Sequence, residues 1–157
     1  MAGLFDDPYK YIIDSSALFD MKRNYPPNVF KGVWEKFNNL CDEQIIISVR
    51  EVYNEIKRGS DWLVEWADKH NKIFYEPISI AEFKLIGELQ DKYPFWVDIY
   101  SDKPAADPFV IASAFTKKII IIQHELPHRN LPRIAEELGL TCIRLQEMFE
   151  LEKWEFH

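Results

Sequence analysis

Asp14 closes a short apolar run, Tyr11-Ile12-Ile13, and is followed at once by Ser15-Ser16-Ala17-Leu18. This is the pattern of a buried strand that ends in a carboxylate where a helix begins. A second acid, Asp107, opens the apolar pattern Pro108-Phe109-Val110-Ile111-Ala112, and a third, Glu125, follows the isoleucine run 119–122. A fourth, Glu55, lies at the edge of the helical face that Val49, Val52 and Ile56 share. Acids at the carboxyl ends of strands point into the crevice where open α/β sheets bind ligands. Carboxylates converging from separate elements are hard oxygen donors that suit Mg²⁺ or Mn²⁺. Ions held in this way acidify an attacking water and stabilise the attacking and leaving oxygens of a phosphodiester.

Each acid also has an ordinary role when taken alone. Asp14 can cap the helix that starts near Ser15. Asp107 precedes Pro108, a favoured first helical position, and reads as an N-cap. Ser48 and Glu51 have the spacing of a capping box, which gives Glu51 a structural role and leaves Glu55 as the better ligand. Glu55 alone is a solvated helix residue and Glu125 a loop acid; their order along one chain favours a shared metal site. Asp98 and Asp102, just upstream of Asp107, read as surface acids that would at most supplement it.

His124-Glu125-Leu126-Pro127-His128 is literally an H-E-x-x-H string, the zinc metalloprotease signature. That chemistry needs both histidines on one continuous helix, with the glutamate as general base. Here a strand-like isoleucine run leads into the string, and Pro127 inside it would cost a helix about 3 kcal/mol. The segment is expected to be a strand end followed by an irregular loop, which returns Glu125 to the acidic set.

Positioning these acids requires alternating strands and helices. Apolar periodicity predicts strands near 10–13, 44–48, 72–75, 119–123 and 141–144. Helices are predicted near 15–21, 27–40, 49–58, 60–70, 79–93, 106–117, 130–138 and 145–151, with Gly139 a good stop for the seventh. Strands separated by helices of this length pair in parallel through right-handed crossovers. Near-continuous apolar runs such as Ile45-Ile46-Ile47 fit strands buried on both faces.

A length of 157 residues, 47% hydrophobic and 15% aromatic, supports one domain with one core and argues against disorder. Cys41 and Cys142 lack metal-knuckle spacing and read as buried reduced thiols. The first ten residues do not have the pattern of a signal peptide, and no run of about 20 apolar residues would span a membrane, so a cytoplasmic location is expected. The net charge of −7 works against nonspecific nucleic-acid binding, although bound cations would offset part of it. Lys22-Arg23, Lys57-Arg58, Lys117-Lys118 and Arg129/Arg133 are small basic groups that read as solvated surface. Tyr93-Pro94-Phe95-Trp96 is an aromatic patch that reads as core packing, with base stacking as the functional alternative.

The ordered set carries a family resemblance: the strand ending Asp14-Ser-Ser, then Ser48-Val-Arg-Glu-Val-Tyr-Asn-Glu55-Ile, then Ala106-Asp107-Pro-Phe-Val-Ile-Ala-Ser-Ala, then Ile121-Ile-Gln-His-Glu125. From Tyr11 to about Leu145 it resembles the PIN-like domains, in the branch related to VapC-type toxins. The resemblance implies a three-layer α/β/α sandwich with a central parallel sheet of about four to five strands. A single PIN-like domain would fill 1–157, with a core over about 9–145 and a C-terminal helical tail over 145–157. It implies Mg²⁺- or Mn²⁺-dependent ribonuclease activity with Asp14, Glu55, Asp107 and Glu125 as the metal-site acids. Its fourth position departs from the more usual aspartate, here replaced by Gln123-His124-Glu125. RNA is the implied substrate, a cognate antitoxin the implied partner and a homodimer a compatible assembly. A non-catalytic PIN-like module that binds RNA or protein is the alternative, and a zinc protease on His124-Glu125-x-x-His128 the remote one.

Overall fold

The apolar runs become strands because both of their faces are covered. In the structure, a computed structural model that describes residues 7–59, 61–74, 77–94, 96 and 105–155, four strands form one all-parallel sheet. They are β1 (Tyr11–Ile13), β2 (Ile46–Ile47), β3 (Ile120–Ile122) and β4 (Cys142–Ile143), in the spatial order β2-β1-β3-β4. Ile12, Ile13, Ile46, Ile121 and Ile122 are wholly buried, as sheets of this kind require.

Eight helices among the described residues flank the sheet, consistent with a three-layer α/β/α sandwich. They are α1 (Ser15–Asn24), α2 (Lys31–Asp42), α3 (Arg50–Lys57), α4 (Trp62–Lys69), α5 (Ile80–Lys92), α6 (Asp107–Lys117), α7 (Asn130–Glu137) and α8 (Leu145–Leu151). Each falls where the period of 3.6 residues places it. Helix α6 packs on β1 and β3, α2 on β2 and α7 on β4. Gly139 follows α7 with φ of 75°, a left-handed stop that a glycine takes without steric cost. No helix of the described residues is long and apolar enough to cross a membrane.

Several local expectations fail for identifiable reasons. The predicted strand near 72–75 is a 3₁₀ turn over Asn71–Ile73. Ile73 and Phe74 are buried as a strand there would require, but only the Ile73 carbonyl is used like a strand's, by the Ser48 N–H at 2.6 Å. Ser48 does not cap α3. The N-cap is Val49, without a side-chain bond, and the Ser48 hydroxyl donates instead to the Ile13 carbonyl at 2.7 Å. Cys41 is buried, whereas Cys142 is only half-buried.

Trp34 and Phe37 of α2 and Trp66 of α4 form an edge-to-face and stacked cluster between the two helices. In the tail, Phe149 stacks on Trp154 with centroids 4.8 Å apart, and Tyr25 meets Phe149 edge-on. The carboxylate of Glu152 accepts hydrogen bonds from Lys10 and from the Tyr11 hydroxyl, tying the end of α8 to the start of β1.

Ser48 therefore joins β2 to the carbonyl just before Asp14. Replacing it by alanine leaves that buried carbonyl without its donor, at a cost of about 1–3 kcal/mol. Urea denaturation of Ser48→Ala against wild type measures this, and an unchanged midpoint would rule out the role.

Candidate metal centre

Strand order decides where a ligand can sit. From β1 the chain moves outward to β2, and from β3 it moves outward to β4 in the opposite direction. The connections diverge and leave a crevice beyond the carboxyl ends of β1 and β3. Asp14 is the residue after β1, and Gln123-His124-Glu125 are the residues after β3. Asp107 opens α6, which packs on both strands. One oxygen each from Asp14, Asp107 and Glu125 lies within 4.8 Å of the other two.

Asp14 is only 1% exposed and serves two roles. It is the N-cap of α1: one carboxyl oxygen, Oδ2, accepts from the Ser16 hydroxyl at 2.8 Å and the Ser16 N–H at 3.4 Å. The other oxygen, Oδ1, is buried and has no hydrogen-bond partner. The cap bonds thus occupy one oxygen of the side chain and leave the other available to a ligand. Burial pushes this carboxyl above its ordinary pKa, against the opposing pull of its bonds to Ser16 and Ser15.

Asp107 is not the N-cap. Ala106 takes that place, and Asp107 is the first residue of the helix, ahead of Pro108. No side chain caps the Ala106 position, and the Asp107 carboxylate gathers with Asp14 and Glu125. Its pKa is pushed up to about 8, first by burial and then by the charges of Asp14, Glu125 and Glu55, while a hydrogen bond from the Trp96 side chain pulls it partly back. Three carboxylates in a low-dielectric crevice cannot all ionise without a compensating charge.

Glu125 is held by the course of the chain. The Gln123 N–H donates to the Ile143 carbonyl at 2.9 Å, and the His124 N–H donates to the Ser16 hydroxyl at 3.0 Å. The buried Gln123 side chain accepts from the Glu125 N–H, which closes a tight local loop. Burial and the Asp14 charge raise the Glu125 pKa, and Arg129 opposes them.

Glu55 is near this cluster but outside it. Its carboxylate accepts from the Ser15 hydroxyl at 3.3 Å. Its pKa is raised by burial and the charge of Asp14, and lowered by Ser15, Arg58 and the Ala106 backbone N–H. Its own charge in turn raises that of Asp107. Of the four expected acids, three converge and the fourth stands at the rim.

Residues 123–129 contain no helix, so His124 and His128 do not share a helical face. His124 packs beside Asp20 and Arg144 instead. Asp98, Asp102 and Phe95 lie outside the described residues, whereas Tyr93 and Trp96 are buried and meet edge-to-face. Sequence reading missed Trp96 as an Asp107 partner, Gln123 as the local lock on Glu125, and Arg144. The Asp14-x-Ser16 spacing of an N-cap was the visible signal for Ser16.

The donor set suits a divalent cation. Oxygens about 2.1 Å from one ion stand about 3.0 Å apart when adjacent and about 4.2 Å apart when opposite, so three oxygens within 4.8 Å of one another would draw together to share it. Hard oxygen donors match Mg²⁺ and Mn²⁺, and the unpartnered Asp14 Oδ1 is the polar atom that such an ion would satisfy.

A parallel α/β sandwich with carboxylates gathered at its switch point is thus the class of protein defined by fold and site. The chain belongs to the family described as "Domain of unknown function (DUF4411)", whose match spans residues 11–156. No curated protein matches it.

Proton linkage follows from Asp107. Unfolded, it loses its proton near 3.8; folded, near 8, so the fold binds more protons between those values. The stability this contributes is fully present below the unfolded value and is lost as pH rises toward 8. In EDTA, Asp107→Asn should melt above wild type at pH 8, by about 2–4 °C for each kcal/mol of relieved repulsion. The difference should vanish near pH 4, and Mn²⁺ should stabilise the wild type alone.

Proposed function

We propose that this protein is a divalent-metal-dependent ribonuclease hydrolysing RNA phosphodiester bonds. The observation that carries the reading is Asp14, which has one buried, unpartnered carboxyl oxygen and gathers with Asp107 and Glu125 within 4.8 Å. The ordered resemblance to PIN-like domains adds RNA as substrate. It also extends the proposal to the toxin of a toxin–antitoxin pair, held inactive by a cognate protein.

Asp14, Asp107 and Glu125 would hold Mg²⁺ or Mn²⁺. When bound, such an ion supplies positive charge to the scissile phosphate and makes water more acidic. Glu55, beside these acids with a raised pKa, would accept a proton from the attacking water. The water oxygen joins phosphorus, the phosphorus–ribose-oxygen bond breaks, and the departing oxygen takes up a proton. No covalent enzyme intermediate is needed.

The net negative chain requires local attraction for RNA, and arginines stand near the acids. Arg58 acts on the Glu55 charge and Arg129 on that of Glu125, and both side chains are exposed. They are assigned here to phosphate contacts, in place of the plain surface role read from sequence.

Purified protein with Mn²⁺ should cleave single-stranded RNA, and EDTA should stop it. Asp14→Asn and Asp107→Asn should each lose more than the ~10–100-fold typical of changes outside the ligand shell. Absence of cleavage across varied RNAs, with Mn²⁺ still bound, would favour a binding module instead. For the basic rim, Arg58→Ala and Arg129→Ala should raise KM with kcat little changed. Each should reduce the salt dependence by about one phosphate contact.

A further inference from the structure

We propose that Arg144 is a positioning residue for Glu125, its guanidinium holding the 123–125 segment so that the Glu125 carboxylate faces Asp14 and Asp107. This rests on the metal-site reading above. Glu125 leaves β3 on irregular backbone, so its direction is not set by a helix or a strand. Arg144 follows β4, the neighbour of β3, and therefore emerges at the same edge of the sheet. One arm of its fork, Nη2, donates to the Glu125 carbonyl at 3.3 Å. The other, Nη1, lies 3.1 Å from the His124 ring nitrogen Nδ1.

His124 Nδ1 is also 3.2 Å from Asp20 Oδ2, and Asp20 is buried and accepts a further bond from the Asn24 side chain. A single ring nitrogen serves one partner at a time. Either it donates a proton to Asp20, or its lone pair accepts from Arg144. In both arrangements the imidazole is fixed to the body of the protein, and Nη2 keeps its grip on the Glu125 carbonyl. The guanidinium suits this task because it is planar and presents two donors in one rigid fork. Its root is fixed too: the Arg144 backbone N–H donates to the Glu147 carboxylate at 3.3 Å.

Arg144 stands between two open clefts of about 310 and 190 Å³. Truncating it thus admits water instead of leaving a sealed void, so the fold should survive the change. A change confined to the direction of Glu125 is then separable from general destabilisation.

The test is a Mn²⁺ titration of the full chain followed by electron paramagnetic resonance, with melting in EDTA as the measure of folding. Arg144→Ala should weaken Mn²⁺ about tenfold, as expected for loss of a group that orients a ligand. Its melting temperature in EDTA should stay near that of wild type. Arg144→Lys, with one ammonium in place of the fork, should recover part of the affinity. Glu125→Ala should also weaken Mn²⁺, and adding Arg144→Ala to it should cause no further loss, because the arginine acts through the glutamate.

Unchanged affinity in Arg144→Ala, no effect of Glu125→Ala, or fully additive losses in the double variant would each overturn the assignment. If Arg144→Ala does not fold, Arg144→Lys and Arg144→Gln carry the same comparison. A wild type that binds no Mn²⁺ would overturn the metal-site reading itself, an outcome distinct from failure of the arginine assignment.

Discussion

Mutual repulsion among gathered carboxylates is the constraint around which the rest of this molecule is arranged. Buried Asp14 and half-buried Asp107 and Glu125 are drawn together, and partial loss of water raises the pKa of all three. No fold gathers such groups without opposing forces. The sheet supplies them: Asp14 is fixed by its own N-cap bonds, by its backbone bond to the Ile122 carbonyl and by the isoleucines before it. The strand order, with β3 paired in parallel to β1, then brings the end of β3 beside it. Repulsion is tolerated because each acid is attached to an element with its own reasons to be there. A buried, unpartnered carboxyl oxygen in a native fold calls for an explanation, and a cation is the simplest one.

Much of this was legible in the chain. Periodicity placed the helices, and short apolar runs placed the four strands, because both signals come from burial, which local sequence records well. The run Lys72-Ile73-Phe74 was misread for the same reason. Its residues are buried, but a short apolar run does not reveal whether its backbone will pair or turn. Ser48 shows a second limit. Its spacing to Glu51 made a capping box, yet the Ile13 carbonyl, distant in sequence, offered the hydroxyl a buried partner and won. Asp107 likewise lost the expected cap because the helix begins at Asp107 itself, with Ala106 as the capping position.

At the site, residue types were readable and contacts were not. Asp14, Asp107 and Glu125 could be chosen because acids at strand ends and helix starts stand out against apolar neighbours. Glu55 lies close by but is turned toward the Ser15 hydroxyl, a matter of side-chain direction that spacing does not encode. Trp96 looked like one more aromatic, and its hydrogen bond to Asp107 is a side-chain contact that spacing does not encode. Arg144 carried no signal at all, since its significance comes from β4 lying beside β3.

The latch at Glu152 gives α8 a mechanical meaning. This helix begins just after Arg144, at the edge of the sheet that bears the acids, and ends where Glu152 holds Lys10 and Tyr11 at the opposite edge. A helix of seven residues is about 10 Å long, close to the rise of about 10 Å across the three residues of β1. The helix is therefore a strut cut to the depth of the sheet, braced at both ends by side chains. One short helix thus spans the sheet from its acid-bearing end to the start of its first strand.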